Sequence, residues 1–263
     1  MRAKLKFLAD LPLYDEKKPS TLYGFPDHIQ PISNCEYEVH DGLMIQDTRG
    51  HEQEYHLDEH GFEFHHWPSK CDLSAAVFES NGNREEVWRY LKETITLTEL
   101  VLQAPKAMCF DWGLRRTNAD CEIRGQLDNL GDARYRALPP TNLMHCDYSY
   151  DGGLETLKIH LSPYEISEGR CKAKIINVWR PMQTVCCSPL VLCDRRTVHP
   201  KANDIVDVDQ VAPTKAEQSI TLTYRPTQGY HWLSNQQPEE VTIFTSWTSD
   251  QDDEIASAVP IFS

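Results

Sequence analysis

The sequence lacks paired cysteine motifs and holds few basic residues for its length. Its nine cysteines are an odd number, spread from Cys35 to Cys193 with no C-x-x-C pair. This spacing predicts neither a disulfide framework nor a zinc knuckle, and we expect most of the thiols to be buried. Lys and Arg total 26 against 40 Asp and Glu, a formal net charge of −14. Such a surface repels phosphate backbones and anionic lipid heads, so nucleic acid is not expected as a partner.

Long apolar runs are also missing. No stretch approaches the roughly 20 apolar residues of a membrane helix, and residues 1–8 hold too short an apolar core for a signal peptide. We therefore expect a cytoplasmic protein without a membrane partner. The 263 residues are 40% apolar, enough for one substantial core, and the prediction is a single domain over residues 1–263.

The N-terminal part, residues 1–140, gives mixed signals. Residues 1–40 are rich in proline and predict an extended arm. Strands are predicted at 37–47 and 52–64, joined by a turn as an N-terminal hairpin.

A helix is predicted further along, where apolar residues recur near helical spacing over 84–103 before Pro105. A strand at 107–110 is expected to follow this helix. The polar stretch 115–140 then predicts a surface loop that could act as a lid.

The C-terminal part, residues 141–263, changes to short β-rich runs separated by turns, with one helical interruption at 154–168. Seven strands at this spacing predict a barrel or a sandwich. The predicted strands are 142–148, 173–179, 189–193, 219–224, 230–234, 241–247 and 256–262.

The triplet His145-Cys146-Asp147 is the most informative pattern for chemistry. In a strand, residues i and i+2 point to the same face, so the imidazole and the carboxylate would project together. A 2-His-1-carboxylate site for Fe(II) needs this pair and a histidine from a distant strand. On its own, the triplet fits a solvated or hydrogen-bonded pair equally well.

The residues around this triplet form part of an ordered set of motifs that spans nearly the whole chain. The set resembles the fungal gibberellin-desaturase-like or AsaB-like hydroxylase/desaturase family of secondary metabolism. The segments that carry the resemblance are 47–50, 57–62, 110–112, 115–116, 142–149, 175–182, 189–198 and 234–241.

The resemblance implies an α+β, mainly β protein with a double-stranded β-helix core of the jelly-roll, cupin-like type and flanking helices. It also implies Fe(II) and 2-oxoglutarate as cofactors, His145 and Asp147 as metal ligands, and hydroxylation or desaturation of a small natural product. The family's distal iron histidine follows a proline, and here Ile261 follows Pro260. The third ligand is therefore expected to be absent or to come from His231 or His199. The family's last strand, whose arginine binds 2-oxoglutarate, is expected to be missing.

Two other functions stay open from the sequence. A metal-independent cyclase, isomerase or dehydratase could use His145 and Asp147 as an acid/base pair and Arg180 to stabilise negative charge. Arg180 could equally pair with Asp194 or Asp147. An inactive scaffold that pairs with an active relative is the third interpretation.

A missing last strand would leave an unpaired edge beside 241–247 or 256–262, which predicts a homodimer. The sequence His56-Leu57-Asp58-Glu59-His60 matches the H-x-x-E-H pattern of a zinc protease. That chemistry requires a helix, and this stretch is predicted to be a strand.

Overall fold

The computed structural model describes residues 1–25, 32–79, 82–117, 137–161, 172–213, 215–250 and 256–262. Over these residues the protein is mainly β, as predicted, with few helices. The helices are α1 (Leu13–Glu16), α2 (Leu57–His60), α3 (Arg84–Leu102) and α4 (Tyr150–His160). The strands are β1 (Arg2–Leu8), β2 (Ser20–Leu22), β3 (Tyr37–Asp47), β4 (Phe62–His66), β5 (Leu114–Arg115), β6 (Ala137–Leu138), β7 (His145–Cys146), β8 (Lys174–Trp179), β9 (Val191–Cys193), β10 (Ile205–Ala212), β11 (Lys215–Leu222), β12 (Tyr230–Trp232), β13 (Glu240–Thr248) and β14 (Ile261–Phe262).

Two sheets build the body of the protein. The larger sheet has nine strands in the order β1-β3-β12-β9-β14-β7-β11-β10-β2, and the smaller sheet has three in the order β4-β13-β8. A separate pair joins β5 to β6. Nearly all neighbours in the two main sheets are antiparallel, and the exceptions are β12 beside β3 and β2 beside β10.

The core between these two sheets is aromatic and aliphatic. It is formed by Tyr55, Phe62, Phe64, Leu190, Leu192, Leu233, Phe244, Val259 and Ile261. On β9, Leu192 points into this cluster, whereas Val191 and Cys193 belong to a second cluster on the other side of the nine-stranded sheet. This alternation is expected of a strand that is buried on both faces.

Helix α3 confirms the predicted helix over 84–103 and covers the outer face of the smaller sheet. Asn83 caps its start by accepting hydrogen bonds from the backbone N–H groups of Glu85 and Glu86. The helix ends at Gln103, which adopts a left-handed conformation with φ of 50°. Its buried Leu97 packs against Val241 and Ile243 of β13.

The predicted N-terminal hairpin is wrong. Strand β3 has the predicted bounds, but it pairs with β1 and β12, and β4 pairs with β13 of the other sheet. The segment between them forms a 3-10 turn at Glu52–Glu54 and the single turn of α2. Gly61 ends α2 with a φ of +85°, which redirects the chain into the smaller sheet.

Several other expectations need correction. The N-terminal residues are more than an extended arm, since β1 is an edge strand of the nine-stranded sheet and β2 forms its opposite edge. Residues 107–110 form no strand. Strand β10 was not predicted, and it pairs with β11 over its whole length. Most of the predicted lid and the end of the predicted helix at 154–168 lie outside the described residues.

The unpaired edge expected beside 241–247 or 256–262 is not found at those strands. Strand β13 lies between β4 and β8, and β14 lies between β9 and β7. The homodimer was predicted from this edge, so it stays a prediction without that support.

Candidate active site

The segment that carries His145 and Asp147 is fixed on both sides. Strand β7 lies between β14 and β11, with His145 opposite Ile261 on one side and Thr221 on the other. Beyond the strand, the Ser149 hydroxyl accepts a hydrogen bond of 3.0 Å from the backbone N–H of Gly152 and caps α4. Because both ends are held, the short loop carrying Asp147 has a defined path.

The imidazole of His145 is held in one tautomer. Its Nδ1 lies 2.8 Å from the carbonyl oxygen of Leu143, which can only accept, so Nδ1 carries the proton. In the neutral ring, Nε2 therefore presents a lone pair. Fixing one ring nitrogen by a backbone carbonyl is the usual way in which a metal-binding histidine is oriented.

The carboxylate of Asp147 bridges the two sheets. Its Oδ2 accepts hydrogen bonds from Asn177 Nδ2 on β8 at 2.6 Å and from Ser246 Oγ on β13 at 3.1 Å. Burial alone would raise the pKa of Asp147, but its polar contacts with His145, Asn177 and Ser246 lower it to about 2. Asp147 is therefore ionised at neutral pH.

The two side chains converge, although the predicted strand 142–148 is wrong in extent: β7 covers only His145–Cys146, and Asp147 lies in the loop after it. His145 Nε2 lies 3.5 Å from Asp147 Oδ1. A neutral Nε2 and a carboxylate oxygen are both acceptors, so this approach is favourable only with a proton or a cation between them. About 16% of the His145 side chain and 33% of the Asp147 side chain remain exposed.

His231 does not join this pair. Residues opposite one another in neighbouring strands share a face, and the pairs His231–Leu192, Leu192–Ile261 and Ile261–His145 place these four residues in one row. Three strand spacings separate the two histidines, about 14 Å along the sheet. His231 is thus too far from Asp147 and His145 to be a ligand of the same ion.

The surroundings of His231 are those of a buried core residue. Its ring packs edge-on against Tyr55 and lies against Phe62, and its Nδ1 has no hydrogen-bond partner among the described atoms. Burial lowers the pKa of His231 to about 4. His199 lies elsewhere, before a 3-10 turn at Pro200–Ala202, where its backbone N–H donates to Asp204.

Arg180 is bound to the backbone rather than to the pair. Its Nη1 donates to the carbonyl oxygens of Trp67 and Pro238, each at 2.7 Å, and its guanidinium lies 5.9 Å from the ring centroid of Tyr90 on α3. Neither ion pair that the sequence left open is formed. Asp194 binds Arg196, and Asp147 accepts hydrogen bonds from Asn177 and Ser246.

The sequence analysis missed Asn177 and Ser246. Asn177 could have been found, because on the predicted strand it shares a face with Ile175 and Trp179 and is the polar member of that face. Ser246 gave no such signal. The register of β13 against β8 shifts between Thr245 and Trp247, and a bulge of this kind re-aims the residue within it.

The histidine-rich stretch before β4 does not form a metal site. His56 precedes the single helical turn of α2 and His60 ends it, where a strand was predicted, and the ring nitrogen of His60 accepts a hydrogen bond from the backbone N–H of His56. Across the described part of the chain, no group of three or more His, Cys, Asp or Glu residues could hold a metal ion. Nor does any described helix have the length and apolar character to cross a membrane.

Solved structures with the same arrangement define the class of fold. The iron and alpha-ketoglutarate-dependent endoperoxidase NvfI superposes with a TM-score of 0.77 and 22% identity, covering 100% of this chain and 89% of that one. A point variant of NvfI gives a TM-score of 0.80 at 20% identity, with 88% of its chain covered. The protein therefore has the fold of this iron-dependent oxygenase.

Family membership follows from the sequence comparison. The family described as oxidoreductase/YMDC permease-like domain matches residues 5–262, and the chain belongs to it. Relatives include the alpha-ketoglutarate-dependent dioxygenase tstK of Talaromyces stipitatus, 22% identical over 82% of this chain and 75% of tstK. The hydroxylase/desaturase CTB9 of Cercospora beticola is 25% identical over 80% of this chain and 66% of CTB9. The resemblance to fungal hydroxylases and desaturases is thus confirmed.

The residues around the pair fit part of the iron site that this fold implies. His145 Nε2 and Asp147 Oδ1 are suitable donors in a suitable arrangement. Ile261, the neighbour of His145 in the same row, offers no donor atom. Among the described residues, the pair thus offers donor atoms of the kind that two of the three protein positions of a 2-His-1-carboxylate site require.

Proposed function

We propose that the chain is a tailoring enzyme of secondary metabolism that hydroxylates or desaturates a small natural product. In this proposal the two sheets form a double-stranded β-helix within a single domain. His145 and Asp147 would hold Fe(II), and 2-oxoglutarate would serve as co-substrate. The relatives tstK and CTB9, whose names give dioxygenase and hydroxylase/desaturase activities, support this class of reaction.

One observation carries the proposal: the 3.5 Å approach of His145 Nε2 to Asp147 Oδ1. Leu143 turns the Nε2 lone pair toward the carboxylate, while Asn177 and Ser246 keep that carboxylate ionised and oriented. Supporting hydrogen bonds that orient two acceptor atoms, here Nε2 and Oδ1, toward one point are typical of a cation site.

The protein side chains have distinct tasks in this site. His145 and Asp147 would position the ion, which with 2-oxoglutarate supplies the oxidising chemistry. Asn177 and Ser246 would prevent the carboxylate from rotating away. The packed apolar cluster around Phe244 and Trp179 excludes water from the space between the sheets.

The experiment is an assay of 2-oxoglutarate decarboxylation. Purified protein is loaded with Fe(II) anaerobically, oxygen is admitted, and succinate is quantified with and without a chelator. We expect succinate that depends on Fe(II) and is lost in His145→Ala and Asp147→Asn, but retained in His199→Ala. No succinate above the chelated control would refute the oxygenase function.

A second function is favoured by Ile261. Because this residue denies the site a third protein ligand, His145 and Asp147 could instead act as an acid/base pair in a metal-independent cyclisation, isomerisation or dehydration. Arg180 is left out of this mechanism because its guanidinium is bound to backbone carbonyls. Substrate conversion that survives chelation and anaerobiosis would establish this function in place of the first.

The setting of the enzyme is also a proposal. We infer a cytoplasmic protein whose partner is a small natural product, with neither nucleic acid nor membrane involved, in keeping with its net charge of −14. The homodimer predicted from the sequence is tested by light scattering, and a mass of 30.3 kDa for the chain would refute it.

A further inference from the structure

Both cross-strand neighbours of His145 lack a strong metal donor. Ile261 on β14 is apolar, and Thr221 on β11 is a buried neutral hydroxyl. Divalent transition metal ions prefer imidazole and carboxylate ligands. The row around His145 therefore adds no third protein ligand to the pair.

Both neighbours share the face of His145, and Ile261 is the one that packs in the apolar cluster between the sheets. Opposite residues in an antiparallel ladder have Cβ atoms about 4.5–5.5 Å apart and share a face. Ile261 packs in the cluster between the sheets with Phe244, and Phe244 lies opposite Asn177, the residue that holds Asp147. A side chain at position 261 thus faces the space bounded by His145 and the support of Asp147.

We propose that His145 and Asp147 form a two-ligand half-site for a divalent transition metal ion, and that Ile261 fills the corner from which a third protein ligand would complete it. This inference rests on the proposed function only in taking the pair as metal ligands. A half-site binds its ion more weakly than a complete site, and it leaves one more coordination position open to a small molecule.

The test measures Mn(II) affinity by isothermal titration calorimetry on the full chain. Ile261→His supplies the missing imidazole. Leu192→His is its matched control, because Leu192 is also buried and lies in the same row on the same face, but one strand further from His145. We expect Ile261→His to bind Mn(II) about tenfold more tightly or better, and Leu192→His to bind like the unmodified protein. Adding Asp147→Asn should abolish the gain.

A second variant tests the proposal even if Ile261→His does not fold with a buried histidine. Ile261→Ala opens the corner, and free imidazole should then strengthen Mn(II) binding in this variant but not in the unmodified protein. Circular dichroism reports whether each variant is folded. Unmodified protein that binds Mn(II) as tightly as Ile261→His would overturn the half-site, as would folded Ile261 variants that show no gain.

These outcomes are separable from the proposed function. Tight Mn(II) binding by Ile261→His, with no succinate from the unmodified protein, would uphold the half-site and refute the oxygenase. Succinate production by unmodified protein that already binds Mn(II) as tightly as Ile261→His would do the reverse.

Discussion

Asn177 Nδ2 donates a hydrogen bond of 2.6 Å to Asp147 Oδ2, and this bond links β8 of the smaller sheet to the loop after β7 of the larger one. The Oδ1 atom of the same carboxylate is thereby left to face His145. The candidate site thus depends on how the two sheets are packed together, in addition to the residues of one strand.

Replacing Asn177 should weaken metal binding without unfolding the protein. In Asn177→Ala the carboxylate loses its shortest hydrogen bond, and loss of such a supporting contact typically lowers metal affinity about 10- to 100-fold. Mn(II) titration measures the change. Ser246→Ala is the comparison, with a smaller expected loss because its bond is longer, at 3.1 Å. Unchanged affinity in both variants would mean that neither residue supports the ligand.

His231 should make the protein sensitive to acid. Burial lowers its folded pKa to about 4, while the unfolded value is about 6.5. Below about pH 6.5, His231 is therefore protonated in the unfolded chain but stays neutral in the folded protein. Stability falls by up to roughly 1.4 kcal/mol per pH unit until the pH reaches the folded pKa.

The variant His231→Phe keeps an aromatic ring beside Tyr55 and Phe62 but cannot titrate. Denaturant unfolding at pH 7 and pH 5 should show a smaller loss of stability in this variant than in the unmodified protein. Burial also lowers the pKa of His60, so part of the loss of stability should remain in both proteins. An identical loss in the two proteins would contradict the assignment to His231.

The ion pair of Arg49 and Glu240 should stabilise the fold above acid pH. Arg49 donates to both carboxylate oxygens of Glu240 and to the carbonyl oxygen of Ser234, so it ties the chain after β3 to the turn before β13. The hydrogen bond from Arg49 lowers the pKa of Glu240. Its contribution is therefore complete above the unfolded pKa of about 4.3 and disappears as the pH falls through the lower folded value.

Glu240→Gln should cost about 1–2 kcal/mol at pH 7, and the difference should vanish near the folded pKa. Glu52→Gln is the control, because Glu52 makes a single contact to Arg49 at 3.1 Å. Chemical denaturation across pH measures both variants. A pH-independent difference for Glu240→Gln would show that the charge is not the source of the stability.

Gly61 should be intolerant of any side chain. Its φ is +85°, and a Cβ atom there would lie 2.3 Å from Val259 Cγ2. Gly50 has nearly the same φ, +84°, with nothing within 4 Å of the added atom. Gly50→Ala therefore isolates the backbone cost, about 1 kcal/mol, and Gly61→Ala should cost clearly more. Equal losses of stability for the two variants in thermal unfolding would mean that the loop carrying Val259 moves aside at no cost.

The sequence predicted the elements whose pattern is local. Strand β3 and helix α3 have the expected bounds, and His145 and Asp147 lie together as expected, although Asp147 is in the loop after β7 rather than in the strand. Strands β1 and β10 were missed, although Leu5 and Phe7 of β1 are buried and residues 206–209 of β10 alternate between valine and aspartate. Strand β1 was missed because the prolines elsewhere in residues 1–40 led us to predict an extended arm.

Long-range pairing explains the remaining errors. The turn after β3 exists, with Asp47 accepting a hydrogen bond from the backbone of Arg49, but the next segment lies in the other sheet. Nothing local distinguishes such a turn from a hairpin. The spacing places Asn177 on an inward face but not beside Asp147, and that contact, like the separation of His231 from His145, depends on strand order.

The most direct test of the account is a crystal of the protein soaked with Mn(II) and 2-oxoglutarate, with data collected for anomalous scattering by manganese. The account predicts one anomalous peak between His145 Nε2 and Asp147 Oδ1, within coordination distance of both atoms and with Ile261 beside it. An absent peak, or a peak coordinated by other residues, would contradict it.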